Sequence, residues 1–371
     1  MNLALVADWI TTAGGAERAL AELHAIWPSA PLFTTVARKN VHENLRAADI
    51  RTTRLQFLYR LLGKHQILLP LMPRVVEEID LRGYDVILSS SHAVGKGIIP
   101  PSNAVHVCYC HTPMRYAWEM ENQYLDDFGI PKFFRKTVKR YLMNLRRWDL
   151  ASAKRVDTFI ANSLETAARI ERIYGRTSVV IPPPVHDRFF RTPLIPTMER
   201  SSYLAVGRFV PYKRFDLLIE CANALQLPLT IVGGGYEEKR LRAMAGPTVT
   251  FRGRVSDDDL PSLYASAKAV LFPAHEDAGI VPLEAQACGT PVIALGKGGT
   301  KDTVVEGKTG LFFDAQTAAS LQAALKKFST MHFDSAEIRE HARQFSSGKF
   351  RERIKDEVEK AVVRYGREAR S

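Results

Sequence analysis

The chain has 371 residues, of which 46% are hydrophobic and 25% charged, which is ordinary for a folded globular protein and excludes a disordered or fibrous one. This length favours two domains or more. The cysteines, Cys108, Cys110, Cys221 and Cys288, follow no disulfide or zinc spacing, and no apolar run is long enough to span a bilayer. Because an apolar strand follows the N-terminus without a basic leader, we expect a cytoplasmic protein.

The formal net charge of +11 is concentrated in two stretches of the first half. Residues 51–74 carry five basic residues and no acidic one, with leucines and a phenylalanine between them at roughly helical spacing. Residues 132–155 carry nine basic residues, starting at Lys132, against the single acid Asp149. This pattern favours an anionic membrane surface as a partner, with a solvated basic face as the alternative. No recognised nucleic-acid motif is present, so we expect no nucleic acid as a partner.

The first half alternates predicted strands and helices. A strand at Leu3–Ala7 leads through a turn at Gly14 and Gly15 into a helix ending near Ile26. The turn has neither the GxGxxG nor the GxxxxGK[ST] spacing, so a phosphate site and an ordinary tight turn both stay open. Further strands are predicted at 31–36, 85–90, 105–110 and 158–163. We expect the strand at 158–163 to be the last of this half.

Two histidines follow predicted strands of the first half. His92 lies in a loop of small residues after the strand at 85–90, and His111 follows the strand at 105–110. Open α/β sheets bind ligands beside the carboxyl ends of their strands, which favours both histidines as site residues. A packed histidine satisfied by backbone groups is the alternative interpretation of His111.

A proline-rich stretch at 182–201 is predicted as a linker, and the second half then repeats the alternation. Its strands are predicted at 203–206, 229–232, 249–251, 269–273, 291–294 and 311–313. Ser256 and Asp259 have the spacing of a capping box, so we assign the aspartates at 257–259 to a helix start and not to a metal site. Residues 348–367 are predicted as a long charged helix.

The segment 275–291, HEDAGIVPLEAQACGTP, places Glu276 in a loop and Glu284 in the first turn of a helix that begins near Ile280. The backbone N–H groups from Gly279 to Val281 are expected to face a phosphate at this helix start. The two carboxylates then suit hydroxyl groups of the same ligand. The alternative is that Glu284 only complements the helix dipole and that Glu276 is a solvated residue of the loop.

Two successive βαβα halves predict an α/β protein with two Rossmann-like domains. Because each of these loops follows a strand, we expect them to face a central cleft. The first domain is placed at 1–184, the second at 185–346 and a C-terminal helix at 347–371.

Glu276 and Glu284, eight positions apart, resemble the EX7E signature of retaining glycosyltransferases of family four, which have the GT-B fold. Nearly the whole chain carries motifs similar to that family in the same order: Gly14-Gly15-Ala16-Glu17, Cys110-His111-Thr112-Pro113, Ile160-Ala161-Asn162-Ser163, Gly207-Arg208 with Lys213, and Gly233-Gly234-Gly235. Asp8-Trp9, residues 111–118, Glu276-Asp277 and residues 296–299 resemble a bacterial O-antigen and exopolysaccharide subgroup. Many of its members are taken as GDP-mannose-dependent mannosyltransferases. The subgroup usually has an aromatic residue where Ala278 stands, which leaves the sugar open.

The resemblance implies a sugar-nucleotide donor with no metal and no other cofactor. Arg208 and Lys213 are implied to bind the diphosphate as the glycosidic bond breaks. Glu284 is implied to hold the ribose hydroxyls, and Glu276 the sugar hydroxyls near the anomeric carbon. Backbone donors to the diphosphate are expected at Gly14, Gly15, Gly279 and Ile280.

Arg254 and Val255 are the expected neighbours of the base, and they leave guanine and uracil open. His111 is implied to contact the sugar and to stabilise an oxocarbenium-like transition state. The acceptor, a lipid-linked glycan or an oligosaccharide, is expected near His92 and Trp118. Of the two retaining mechanisms, we expect front-face return and not a covalent adduct on the loop glutamate.

We therefore expect a retaining hexosyltransferase that moves mannose from GDP-mannose in cell-surface polysaccharide synthesis, at the inner face of the membrane. The resemblance also implies that the C-terminal helix crosses back to the N-terminal domain. The alternatives are a UDP-sugar donor, a GT-B sugar-nucleotide epimerase, and a basic membrane-surface protein without enzymatic activity. The absence of GxGxxG after Ala7 argues against an oxidoreductase.

Overall fold

The computed structural model describes residues 1–12, 14–39, 42–119, 132–196 and 199–368. The side chains of 132–134 and 366–368, including that of Lys132 in the second basic stretch, lie outside this description. The chain forms two compact units, Met1–Pro182 together with Phe350–Ser371, and Pro183–Lys349.

The first unit is built on a sheet of parallel strands, whose inner strands are buried on both faces. The strands of the sheet are β1 (Leu3–Ala7), β2 (Leu32–Thr34), β3 (Ile50–Thr52), β4 (Val86–Ser91), β5 (Val105–Cys110), β6 (Thr158–Ala161) and β7 (Ser178–Val180). Their order is β3-β2-β1-β4-β5-β6-β7, with Leu5 of β1 opposite both Leu32 and Leu88. The continuous apolar run of β1 is typical of a central parallel strand.

Helices cover both faces of this sheet. They are α1 (Gly15–Ile26), α2 (Leu55–Leu62), α3 (Met72–Glu77), α4 (Arg115–Trp118), α5 (Lys132–Ala153) and α6 (Leu164–Tyr174). Leu3 and Leu5 pack in one apolar layer with α1, whereas Ala4 and Val6 pack in the other with α2, α3 and α5. The alternation follows from the two-residue period of a strand.

The second unit has a six-stranded parallel sheet. Its strands are β8 (Ser202–Arg208), β9 (Leu229–Gly234), β10 (Val249–Gly253), β11 (Ala267–Phe272), β12 (Val292–Leu295) and β13 (Gly310–Phe313). Their order is β10-β9-β8-β11-β12-β13. The helices are α7 (Asp187–Arg191), α8 (Phe215–Leu225), α9 (Glu238–Met244), α10 (Leu260–Ser266), α11 (Ile280–Ala287), α12 (Thr300–Thr303), α13 (Ala318–Phe328) and α14 (Ser335–Ala342).

The C-terminal helix α15 (Ser347–Glu368) returns to the first unit, as predicted. Its apolar stripe of Phe350, Ile354, Val358 and Ala361 is buried in the same layer as α1. The spacing of this stripe, three or four residues, is that of one helix face. The two Rossmann-like units of the predicted fold are therefore confirmed.

Several local predictions are wrong. The strand at 158–163 is not the last of its half, because β7 follows it, and β3 was not predicted at all. Both are three-residue strands at the two edges of the sheet, where partial exposure removes the apolar pattern. The linker region contains α7. The Ser256 hydroxyl accepts a hydrogen bond from the Asp259 N–H at 3.1 Å, as in the predicted capping box. The helix α10, however, begins only at Leu260.

Among the described residues, no helix is both long enough and apolar enough to cross a membrane.

Candidate functional site

The loop before α11 brings together two residues predicted for different parts of a ligand. The ammonium of Lys213, in the turn after β8, lies 2.5 Å from a carboxylate oxygen of Glu276. Their side chains are only 12% and 20% exposed. The half-buried pair places a cation and an acid at the carboxyl edge of the second sheet, where α/β proteins bind ligands.

Two glycines hold the Glu276 loop in place. A Cβ on Gly298, whose φ is 70°, would lie 2.3 Å from the carbonyl oxygen of Glu276. A Cβ on Gly299 would lie 2.4 Å from the carbonyl oxygen of Asp277. The Gly299 N–H donates to the Glu276 carbonyl at 3.0 Å. Any side chain here would displace the loop. Residues 296–299 resemble the subgroup motif, but no role was predicted for them.

The start of α11 follows the prediction in part. Gly279 precedes the helix with a φ of 63°, and Ile280 is its first residue. The prediction placed Glu284 in the first turn of this helix, but as the fifth residue from Ile280 it lies in the second turn. Its carboxylate, 3% exposed, accepts a hydrogen bond of 2.9 Å from the phenol of Tyr264 on α10, a residue that was not predicted for the site.

Arg208 ends β8 and is exposed, and it forms no ion pair with any described residue. The Lys213 side chain lies close to Gly207, the residue before Arg208, since a Cβ on Gly207 would lie 3.2 Å from the Lys213 Cδ. A Cβ on Gly233 would lie 1.8 Å from the Gly207 carbonyl oxygen, so the glycine run of β9 is required for this close approach. The structure thus brings Arg208 and Lys213 to one strand end.

Arg254 and Val255 follow β10, on the far side of β9. Arg254 is exposed, and its Nε lies 3.6 Å from the Cβ position of Gly234. Val255 is half-buried against the core of the second unit. Both stand at the same sheet edge as Arg208, which suits the predicted position beside a nucleotide base.

In the first unit, the ends of β1 and β4 meet at a buried acid. Asp8, 1% exposed, accepts hydrogen bonds from the Ser91 hydroxyl at 3.0 Å and from the His92 backbone N–H at 2.7 Å. The His92 Nδ1 lies 2.9 Å from the same carboxylate. Burial opposes both charges, but the attraction between them prevails, so the pKa of Asp8 is lowered and that of His92 is raised. His92, predicted for the acceptor, is therefore held by an acid that sequence reasoning left without a role.

His111 is held in its neutral form. The Ser90 hydroxyl lies 2.8 Å from its Nε2, and its carbonyl accepts from Thr166 Oγ1 at 3.2 Å. Burial and the nearby charge of His92 lower its pKa to about 3. A neutral imidazole adds no positive charge against an oxocarbenium-like transition state, which suits the predicted role.

In two other predicted site residues, Gly14 and Trp118, the N–H group already donates a hydrogen bond to a carboxylate within the first unit. The Gly14 N–H donates to Glu17 at 3.1 Å, an internal bond where a phosphate donor was expected. The indole N–H of Trp118 donates to Asp149 at 2.8 Å, and Asp149 is completely buried and paired with Lys96. Trp118 therefore offers only its half-buried ring to an acceptor. Gly15 is the first residue of α1.

Family models match both units. The model "Glycosyltransferase Family 4" matches residues 13–189, and the model "Glycosyl transferases group 1" matches residues 188–345. Each half of the chain thus matches a glycosyltransferase family model. These matches support the family predicted from the EX7E residues, whereas the O-antigen subgroup stays a prediction.

Two similar curated proteins are named for different substrates. A D-inositol 3-phosphate glycosyltransferase of Geodermatophilus obscurus is 33% identical over 51% of this chain and 49% of its own length. A GDP-mannose-dependent alpha-(1-6)-phosphatidylinositol monomannoside mannosyltransferase of Mycobacterium tuberculosis is 36% identical over 32% of this chain and 36% of its own. The chain thus spans half or less of the length of these relatives.

Among solved structures, HepE of Anabaena in complex with UDP superimposes with a TM-score of 0.71. The two proteins are 18% identical, and the match covers 97% of this chain and 100% of HepE. At this identity the likeness establishes the fold, and it supports the GT-B assignment.

Proposed function

We propose that the protein transfers a hexose from a sugar nucleotide to an acceptor hydroxyl with retention of anomeric configuration. The observation that carries the proposal is the cluster after β8, where Arg208, which has no ion pair among the described residues, ends the strand that leads to the Lys213–Glu276 ion pair. Arg208 and Lys213 are suited to the donor diphosphate. When Lys213 binds phosphate, Glu276 is released to accept hydrogen bonds from the sugar hydroxyls.

The residues suit a front-face mechanism. The bond between the anomeric carbon and the phosphate oxygen breaks, and the acceptor oxygen bonds to the same face of the sugar. The acceptor proton passes to the leaving phosphate. Arg208 and Lys213 stabilise the charge that develops on that phosphate, in place of a metal ion.

GDP-mannose is the donor we favour, because a matching relative is named as GDP-mannose-dependent. A UDP-sugar is the second candidate, because HepE is solved with UDP-glucose. Incubation with a panel of GDP- and UDP-sugars, with nucleotide release as the readout, separates the two. Release that is stimulated by an acceptor indicates transfer, and NMR of the product gives its anomeric configuration. Inversion would contradict the mechanism.

Glu276→Gln tests the assigned carboxylate. We expect transfer to fall by at least about 100-fold while nucleotide binding is retained, because the amide keeps the shape but loses the charge. Glu306→Gln is the control, since Glu306 is exposed and pairs only with Lys327 in the described part of the chain. Transfer by Glu276→Gln at the wild-type rate, or a glycosyl adduct on Glu276, would contradict the assignment.

We also propose that the first unit binds the inner face of an anionic membrane, where it meets a lipid-linked acceptor. On α2 and the segment after it, large apolar side chains are strongly exposed: Phe57 by 67%, Leu61 by 68%, Leu62 by 47%, Ile67 by 57% and Leu71 by 48%. The basic helix α5 packs beside this segment, with the Tyr141 hydroxyl donating to the Leu69 carbonyl at 3.3 Å. Exposed apolar groups next to basic ones suit an anionic lipid surface.

Vesicle flotation tests the membrane proposal. Phe57→Ser with Leu61→Ser should reduce binding to anionic vesicles, because about 1.5–3 kcal/mol of apolar burial is lost with each side chain. The control is Leu164→Ser with Val363→Ser, which removes apolar side chains that are 62% and 54% exposed elsewhere. Equal flotation of the two double variants would contradict the proposed surface.

A further inference from the structure

A basic cavity lies in the first unit, apart from the predicted ligand residues. It has a volume of about 360 Å³ and opens where β1, β2 and β3 end, between Ile10, Ala37 and Thr52. Its lining includes four cationic side chains and no acidic one among the described residues. The cations are Arg38, Lys39, Arg46 and Arg60.

These four cations form no ion pair with any described residue, in contrast to those of a second cavity close by. That cavity, of about 540 Å³, is also lined by arginines, but each of them is held by a carboxylate. Arg51 pairs with Asp49 at 2.7 Å, Arg54 with Glu78 at 2.7 Å, and Arg82 with Asp80 at 2.6 Å. The first cavity therefore keeps a concentrated positive potential, and the second does not.

One wall of the basic cavity is fixed in place. Gln56 on α2 accepts from the Ala37 N–H and donates to the Ala37 carbonyl, both at 2.8 Å. This pair of hydrogen bonds to the Ala37 backbone holds α2 against the loop after β2. Arg60, one turn further along α2, lies on the same helix face and also lines the cavity. The site is thus built by packed backbone and not by side chains alone.

The same helix carries the exposed apolar groups. Phe57 and Leu61 each follow a cavity residue by one position, so they lie about 100° around the helix from Gln56 and Arg60. They are 67% and 68% exposed. A basic cavity and an apolar strip on adjacent faces match a molecule with an anionic head and a hydrocarbon chain.

We propose that the basic cavity binds the terminal phosphate or diphosphate of a membrane lipid. Four cations, with no acid among the described residues of the lining, favour a head group of high charge. A terminal phosphate carries about 1.5 to 2 negative charges at neutral pH. A phosphodiester carries one. Arginines bind phosphate oxygens in bidentate fashion, which adds geometric selectivity. A lipid that ends in phosphate has no acceptor hydroxyl, so this binding site is separate from the acceptor of the proposed function and does not rest on it.

Vesicle sedimentation of the full chain tests the site. Two sets of phosphatidylcholine vesicles are matched in surface charge, one with phosphatidic acid, which has a terminal phosphate, and one with phosphatidylserine. We expect at least about tenfold tighter binding to phosphatidic acid, and loss of this preference in Arg46→Gln with Arg60→Gln, because each lost guanidinium–phosphate contact is worth about tenfold. Inorganic pyrophosphate should release the protein from phosphatidic acid vesicles.

Arg51→Gln with Arg82→Gln is the matched control, since it removes two arginines from the neighbouring cavity of the same unit. This control should keep the preference for phosphatidic acid vesicles. Arg46→Lys with Arg60→Lys should keep part of it. Equal loss in both glutamine variants would show general electrostatic attraction and overturn the site. Pyrophosphate binding by the wild type without any vesicle preference would show a free anion as the ligand and overturn the lipid assignment. The assay contains no sugar nucleotide, so its outcome is independent of glycosyl transfer.

Discussion

Tyr264→Phe tests how the buried carboxylate of Glu284 is held. The phenol, completely buried on α10, donates to Glu284 at 2.9 Å, and Glu284 is 3% exposed. The variant keeps the ring, including its edge contact with Phe189 at 5.9 Å, and removes only the hydroxyl. A hydrogen bond to a charged group contributes about 1.5–3 kcal/mol, so the free energy of unfolding should fall by about that amount.

Calorimetry of the full chain measures this change. For a unit of this size 1 kcal/mol corresponds to about 2–4 °C in Tm, so we expect a decrease of roughly 3–12 °C. Tyr203→Phe is the reference, because Tyr203 is also buried in the second unit and its hydroxyl has no hydrogen-bond partner among the described residues. If the two variants have the same Tm, the phenol does not hold Glu284, and the geometry of the predicted ribose site has to be reconsidered.

Three further results are expected. Gly298→Ala should lower transfer by about 100-fold, because its Cβ would displace the Glu276 loop, whereas Gly296→Ala, whose Cβ would meet its nearest atom at 3.4 Å, should be mild in activity assays. Lys96→Met should cost about 3–5 kcal/mol in urea unfolding, because it leaves the buried aspartate partner unpaired. Burial lowers the pKa of His106 from 6.5 to about 4, so the unfolded chain protonates first as the pH falls. The free energy of unfolding should therefore drop by about 3 kcal/mol between pH 6.5 and 4 on account of this imidazole, and unchanged stability there would contradict the assignment.

The order of strands and helices was largely predictable, because central parallel strands are continuous apolar runs. β1 and β5 were predicted at their observed bounds for this reason. The edge strands β3 and β7 are short and partly exposed, so they carry no such run. Glu276 and Lys213 were found by motif, but their direct ion pair was not, since it joins loops 63 positions apart.

Other parts of the candidate sites depend on contacts that local sequence does not show. Asp8 and His92 are 84 positions apart and meet only because β1 pairs with β4. The basic cavity likewise collects Arg38, Arg46 and Arg60 from separate segments. Each is an ordinary surface arginine in the sequence, and only the fold reveals that no acidic side chain of the described part of the chain lines this cavity.

The return of α15 to the first unit has a consequence for synthesis of the chain. The layer that holds α1 and β1 is completed by Phe350, Ile354 and Val358, which the ribosome adds after the whole second unit. Domains usually fold in order from the N-terminus during translation. Here the N-terminal unit keeps an open apolar face until residues 350–361 emerge, so the second unit is the first that can fold to completion. A nascent chain stalled before residue 350 should accordingly present a chaperone-binding surface on its N-terminal unit.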